Sequence, residues 1–231
     1  LLRKTEYGES DLILNVLTDT LGRIGVIARG ARASRRRFAG GVESFHGLRF
    51  TLEEPQHGDL YRLREARLEM PRMRLTSNLK ALDVAGRALG WVRAVTPTNT
   101  PEPEAFALCT RLLDRLDETP PENARLSDYV LAEFGLVLLD VLGWALELER
   151  CVRCGRACPS TSASTIEPRL GGIVCQRCGG ARIRLSAALR QRMHDAMIGN
   201  PTSLPDAESA LVLTIVEASL QAHAGIDTTA P

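Results

Sequence analysis

The first 70 residues alternate apolar and polar positions, which is the period of half-buried β-strands. In the last of these runs the alternation changes phase near Arg64, and such a slip in a two-residue period predicts a β-bulge. Residues 19–22 (DTLG) separate two short apolar runs and predict the turn of a hairpin. The predicted strands are residues 1–5, 12–17, 23–29, 46–53 and 60–70.

Beyond Pro71 the apolar residues recur every three to four positions, which is the period of amphipathic helices. We expect Thr76 or Ser77 to cap the first helix. The predicted helices cover residues 79–92, 106–116, 127–148 and 206–223, with one more after Ser186. Five strands with one long loop, followed by helices, indicate a small barrel such as the OB-fold joined to an α-helical domain.

Five of the six cysteines lie in two short segments, CVRCGRAC (residues 151–158) and CQRC (residues 175–178). Two C-x2-C pairs separated by twenty residues have the spacing of a structural zinc site, in which each pair forms a tight knuckle. The predicted metal ligands are Cys151, Cys154, Cys175 and Cys178. Cys158 is an alternative ligand to Cys154, although the C-x3-C spacing is less usual in such a knuckle. Cys109 lies on an apolar helical stripe and is expected in the core.

Disulfide bonds are the alternative for these cysteines, and they are expected in secreted proteins. The start of the chain, LLRKTEYGESDL, lacks the apolar core of a signal peptide, and no apolar stretch is long enough to cross a membrane. The chain also lacks an initiator Met, so we expect a few residues before Leu1. We therefore expect a cytoplasmic protein with one structural zinc ion per chain.

The net charge of +1 is unevenly distributed along the chain. Residues 1–80 carry 15 Lys and Arg against 10 Asp and Glu, whereas residues 81–150 carry 6 against 12. The loop GARASRRRFAGG (residues 30–41) concentrates arginine beside one aromatic ring, Phe38. Arginines that pair with phosphates and rings that stack on bases suit single-stranded nucleic acid. A solvated loop in an arginine-rich chain is the alternative, because 27 of the 29 basic residues are Arg.

Motifs of common enzymes are absent from the sequence, which has no P-loop, no GxSxG and no HExxH. Asp11, Asp19 and Asp59 are the carboxylates that a metal-dependent nuclease would need, but no close spacing supports that grouping. We therefore expect a protein without catalytic residues.

The stretch LRKTEYGESDLILNVLTDTLGRIGVIARGAR resembles the N-terminal part of the RecO family of bacterial recombination mediators. The resemblance is carried by Tyr7, Gly8, Glu9 and Asp11, by Thr18 and Gly22, and by residues 28–32 (ARGAR). The segment CxxCG…GG.VCxxC is similar to the zinc-bearing members of that family. The resemblance implies an α+β multidomain protein, with a five-stranded OB-fold barrel followed by an α-helical domain that contains an inserted four-cysteine zinc module.

In residue numbers, the implied parts are an OB-fold at 1–75, helices at 76–150 and 182–231, and the zinc module at 151–181. The resemblance implies binding of single- and double-stranded DNA, strand annealing and, with RecR, loading of RecA onto DNA coated by single-strand-binding protein. It also implies a cytoplasmic, nucleoid-associated protein with no membrane partner. The residues expected to bind DNA are Lys4, Arg29, Arg32, Arg35, Arg36, Arg37 and Phe38.

A zinc-stabilised assembly subunit, whose partner is a protein and whose charge is incidental, is the alternative function. The acidic middle segment fits that interpretation, because a surplus of carboxylates is an unsuitable DNA surface.

Overall fold

A computed structural model describes residues 1–33, 38, 42–119, 127–200 and 204–225. The chain divides into two compact units, Leu1–Glu122 and Asn123–Pro231. The first unit contains the predicted strands and also the first three helices. The predicted four-part division of the chain stays a prediction, because compactness alone groups these helices with the strands.

Five strands form one sheet in the first unit, and their positions agree with the predicted strands. They are β1 (Arg3–Tyr7), β2 (Asp11–Thr18), β3 (Gly22–Ala28), β4 (Gly47–Glu53) and β5 (Leu60–Met70). Their order is β1-β2-β3-β5-β4. Neighbours are antiparallel except β3 and β5, which are parallel. This strand order is that of a five-stranded, partly open OB-like sheet, so the predicted fold class is confirmed.

The sheet is not closed into a full barrel. Among the described residues no ladder of hydrogen bonds joins β1 to β4, so these strands remain the edges of the sheet. The predicted OB-fold barrel is therefore a partly open one. The alternation of side chains predicts strands but gives no information about which edges pair, because pairing depends on the twist and coiling of the whole sheet.

The phase change in the sequence corresponds to a β-bulge. Thr51 pairs with Glu65 and Leu52 pairs with Leu63, so Arg64 is the extra residue on β5. The bulge turns Leu63 and Ala66 toward the same buried face although their sequence spacing is odd. A second irregularity, in which Glu69 is the extra residue, was not predicted.

One face of the sheet buries the apolar side chains of β2 and β3. Leu14, Ile24 and Val26 are fully buried there, with Leu63 from β5. Burial alternates along both strands, as expected for a sheet with one covered face. The sequence alternation thus fixes which side chains form the core of this unit.

Three helices complete the first unit: α1 (Met73–Ser77), α2 (Leu79–Val95) and α3 (Pro103–Glu118). Asn78, rather than the predicted Thr76 or Ser77, caps α2, because its side-chain oxygen accepts hydrogen bonds from the N–H groups of Lys80 and Ala81. The predicted cap is wrong because residues 73–77 form a short helix of their own.

The second unit contains α4 (Ser127–Val141), β6 (Ser164–Glu167), β7 (Gly172–Val174), β8 (Ile183–Leu185), α5 (Ala187–Met197) and α6 (Asp206–Ala224). Helix α4 packs on α5 and α6, and β6 is the central strand of a small antiparallel sheet. Helix α4 ends before Leu148, the predicted limit, because Gly143 adopts a left-handed conformation. None of the described helices is both long and apolar enough to cross a membrane.

Candidate metal centre and nucleic-acid interface

The four predicted ligands Cys151, Cys154, Cys175 and Cys178 lie together in the second unit. All four Sγ atoms are within 4.8 Å of one another. The sulfurs of Cys154 and Cys175 are 3.7 Å apart. A tetrahedral zinc site with Zn–S bonds of about 2.3 Å places its sulfurs about 3.8 Å apart. The cluster therefore has the size and the donor set of a metal site, and both are consistent with zinc.

The first knuckle is a tight hairpin around Cys151. Arg150 and Ala157 form an antiparallel bridge, and the N–H of Cys151 donates to the carbonyl of Arg156 at 2.9 Å. The N–H of Gly155 donates to the carbonyl of Cys151 at 2.8 Å. Gly155 has a φ of +69°, which a residue with a side chain rarely adopts. Its position after the second cysteine lets both sulfurs face one point.

The second knuckle is one turn of 3₁₀-helix, Gln176–Cys178, followed by two left-handed glycines. The N–H groups of Cys178 and Gly180 both donate to the carbonyl of Cys175. The N–H of Cys175 in turn donates to the sulfur of Cys151 at 3.3 Å, which joins the two knuckles. The folded backbone therefore gathers the four sulfurs from both segments.

Two thiols of the cluster have strongly shifted pKa values. The hydrogen bond from the backbone of Cys175 lowers the pKa of Cys151 to about 6, so this thiol is a thiolate at neutral pH. Hydrogen bonding with Cys154 raises the pKa of Cys178 to about 12, because crowded sulfurs share the remaining protons. A divalent cation relieves that crowding, since it favours the thiolate form of every ligand.

Cys158 and Cys109 lie outside the cluster. The sulfur of Cys158 accepts a hydrogen bond from Nη1 of buried Arg190, which also donates to the carbonyl of Pro159. Cys109 is buried on α3, and burial raises the pKa of its thiol to about 12, so it stays neutral. The prediction that Cys109 lies in the core is confirmed. The role of Arg190 was not predicted, because nothing in the sequence distinguishes a buried arginine on a helix from an exposed one.

The predicted DNA-binding cations that the structure describes lie on the first unit. Lys4 on β1 is exposed and forms an ion pair with Glu43 at 3.2 Å. Arg29 follows β3 and is exposed, and Arg32 lies three residues further on, paired with Glu6 at 3.2 Å. The predicted residues Arg35, Arg36 and Arg37 lie outside the described residues.

The predicted stacking ring of Phe38 is placed differently from our expectation. Phe38 is only 3% exposed and belongs to the apolar cluster with Leu14 and Val26. A ring that packs in the core offers no face to a base, so its proposed role as a stacker is corrected. Removing the large apolar ring of Phe38 from water is favourable in free energy, and this favours burial even though the residue lies in a loop.

Asp11 anchors the segment that carries Arg29 and Arg32. Its carboxylate accepts hydrogen bonds from the N–H of Gly30 at 2.7 Å and from the Ser10 hydroxyl at 3.3 Å. The N–H of Arg32 donates to the carbonyl of Ser10 at 3.0 Å. The acidic residue of the quoted N-terminal motif therefore positions basic residues, which sequence reasoning missed.

The carboxylates considered for a nuclease do not form a metal site in the part of the chain that the structure describes. The only group there with the composition and spacing for a metal ion is the four-cysteine cluster. Asp11 is engaged with Gly30, and Asp19 and Asp59 are not grouped with it. These geometries give the nuclease hypothesis no support.

Comparison with known families assigns the whole chain. The model described as "Recombination protein O N terminal" matches residues 1–72, which contain the five strands, and "Recombination protein O C terminal" matches residues 60–228, which contain the cysteines. The chain belongs to the RecO family. It is 30% identical to the DNA repair protein RecO of Anaeromyxobacter sp. (strain Fw109-5), over 97% of this chain and 89% of that protein.

Further relatives support the assignment of the chain to the RecO family. The chain is 32% identical to the DNA repair protein RecO of Pelobacter propionicus, over 97% of this chain and 89% of that protein. A RecO of Anaeromyxobacter sp. (strain K) is 34% identical over 77% of this chain and 67% of its own length. RecO membership places the chain among the proteins of DNA repair and recombination, as the N-terminal resemblance predicted.

Proposed function

We propose that this RecO-family chain is a non-catalytic recombination mediator in the bacterial cytoplasm. It binds single- and double-stranded DNA, promotes annealing of complementary strands and, with RecR, loads RecA onto DNA coated by single-strand-binding protein. The observation that carries this proposal is the RecO similarity over 97% of the chain. The exposed cations around the anchored turn of the first unit provide its physical basis.

Binding of single-stranded DNA uses Lys4, Arg29 and Arg32, with a contribution from Arg35–Arg37 of the basic loop at residues 30–41. The ion pairs of Lys4 with Glu43 and of Arg32 with Glu6 are exposed, and such pairs contribute about 0–1 kcal/mol. A phosphate therefore displaces these carboxylates at little cost. Each phosphate contact also releases counterions, which favours binding at low salt.

Annealing follows from the same electrostatics. Two complementary strands repel each other through their phosphates, and a cationic surface that binds both strands lowers this repulsion without ATP. The sequence accordingly needs no nucleotide-binding motif for this activity, and it contains no P-loop.

The four-cysteine cluster holds one structural zinc ion per chain. A site of four thiolates is closed, so it leaves no position for a catalytic water. The polar segment between the knuckles has a small core of its own around Ile166 and Ile173. The ion stabilises this segment and the strands that follow it, and it does not take part in a reaction.

The assembly-subunit alternative is favoured by one observation, the ion pairing of Lys4 and Arg32. In that case acidic neighbours neutralise the surface, and the partner of the chain is a protein. The two functions differ in what happens when these cations are removed.

The proposal is tested with the variant K4A/R29A/R32A of the full chain. We expect the slope of log affinity for single-stranded DNA against log salt to become less negative by about 2, since each contact contributes about 0.7. Strand annealing is expected to slow in parallel. R35A/R36A/R37A, assayed alongside, measures the contribution of the rest of the loop.

The charge-matched control is R49A/R64A/R67A, which removes three exposed, ion-paired arginines from β4 and β5. It is expected to retain DNA affinity. Unchanged DNA affinity in both loop variants would favour the assembly subunit instead.

A further inference from the structure

The segment that surrounds the metal site is strongly basic. Residues 150–184 contain seven arginines and a single acidic residue, Glu167. All seven arginines are exposed, and none forms an ion pair within the described ranges of the chain. They are Arg150, Arg153, Arg156, Arg169, Arg177, Arg182 and Arg184.

This pattern differs from that of the sheet in the first unit. In the first unit, Lys4, Arg32, Arg49, Arg64 and Arg67 each face a carboxylate within ion-pair distance. Carboxylates next to these cations reduce the positive potential that a polyanion experiences. The arginines around the metal site keep their full charge available to an external ligand.

The metal site itself does not neutralise this charge. Four thiolates and one divalent ion together carry two negative charges. With Glu167 included, the segment retains a surplus of about four positive charges. The surface therefore attracts external anions.

Three of the arginines line one groove of about 530 Å³, whose wall also includes the metal ligands Cys151 and Cys175. Arg156 comes from the first knuckle, and Arg182 and Arg184 come from the chain entering β8 and from β8 itself. Arg184 lies opposite Thr165 of the central strand β6. The hydroxyl of Ser164, which also lines the groove, is buried and has no hydrogen-bond partner.

The lining of the groove indicates which part of a nucleic acid it contacts. None of the lining residues is aromatic, and the apolar ones are Ala, Ile and Val. Surfaces that bind single strands combine cations with rings that stack on bases. A groove that has cations but no aromatic rings contacts phosphates and makes no sequence-specific contact with bases.

We propose that the groove lined by Arg156, Arg182 and Arg184 binds the phosphate backbone of duplex DNA, separately from the strand-binding surface on the first unit. Duplex DNA presents one charge per roughly 1.7 Å of its axis, the highest density among the strands the chain handles. Seven arginines spread around the segment suit a long polyanion better than a short acidic peptide. This inference rests on the proposed function, since it assigns one of the DNA forms to a site.

The test compares R156A/R182A/R184A with the unmodified full chain on a labelled duplex and on a single strand. For the duplex, we expect the slope of log affinity against log salt to become less negative by about 2 to 3, since each contact contributes about 0.9. Affinity for the single strand is expected to change much less. Unchanged metal content in the variant shows that the knuckles are still folded.

A matched control, R150A/R169A/R177A, removes the same charge from the same segment but leaves the arginines of the groove intact. Its duplex slope is expected to change by at most about 1. An equal change in both variants overturns the groove as the binding site, and so does an unaltered duplex slope in the groove variant.

The outcomes also separate the two proposals. If the unmodified protein binds neither duplex nor single strand, the proposed function fails together with the groove. If the unmodified protein binds both and the groove variant binds both equally well, only the groove fails.

Discussion

At the scale of single residues, the family motif of the N-terminal stretch is explained by turns. Asp11 fixes the turn after β3 through Gly30, and the hydroxyl of Thr18 closes the turn before β3. Gly22 begins β3 with a φ of +71°, and its α-carbon lies against the backbone of Thr100. Each of these residues fixes the backbone of a turn in the first unit.

Replacement of Gly22 by Ala is expected to destabilise the first unit by about 2–4 kcal/mol, because it combines left-handed strain with a steric overlap. A β-carbon there would lie 1.7 Å from the carbonyl oxygen of Thr100. Gly58→Ala is the matched control, because Gly58 has a φ of +72° and nothing within 4 Å of a β-carbon. It is expected to cost about 1 kcal/mol, the strain alone. Urea unfolding of both variants measures the difference, and equal losses contradict this account.

At the scale of elements, the sequence predicted those parts that depend on local periodicity. All five strands and the bulge at Arg64 follow from a two-residue period against one buried face. The cap of α2 was misassigned because three polar residues in a row can each cap a helix, and tertiary contacts decide among them. One such contact is the hydrogen bond from the N–H of Leu75 to Asp117 on α3, which holds the short helix α1. Asp117 is 42 residues from Leu75 in sequence, so a local sequence pattern cannot indicate this contact.

The knuckles are the elements whose folding, under the proposed function, depends on an ion. Cys151→Ser is expected to abolish metal binding and to lower the unfolding temperature of the second unit, because metal affinity contributes directly to folding. Cys158→Ser is the control, since Cys158 contacts Arg190 and not the cluster. Elemental analysis is expected to find one zinc ion per chain in the unmodified protein and in the control, and none in Cys151→Ser. Metal-free protein that unfolds at the same temperature as the metal-bound form would refute a structural role.

At the scale of the whole molecule, charge is unevenly divided between segments of the chain. The cations of the first unit and the arginines around the metal site are separated in sequence by residues 81–150, which carry 12 acidic against 6 basic residues. A polyanion is therefore attracted to the two basic segments more strongly than to the acidic one.

The sequence could indicate this division only in part. The basic loop at residues 30–41 is visible as a run of arginines, whereas Arg156, Arg182 and Arg184 are scattered among 29 residues. The pairing of β6 with β8 and the first knuckle bring them to one groove. Contacts between residues distant in sequence therefore created the surface, and composition could not reveal it.

The central claim is that the chain presents positive charge to the phosphates of DNA. The most direct measurement is a fluorescence-anisotropy titration of a labelled oligonucleotide with the purified full chain at several salt concentrations. We expect binding at low salt, with log affinity falling linearly against log salt concentration. An absence of binding even in dilute buffer, from protein that is folded and metal-loaded, would contradict the claim.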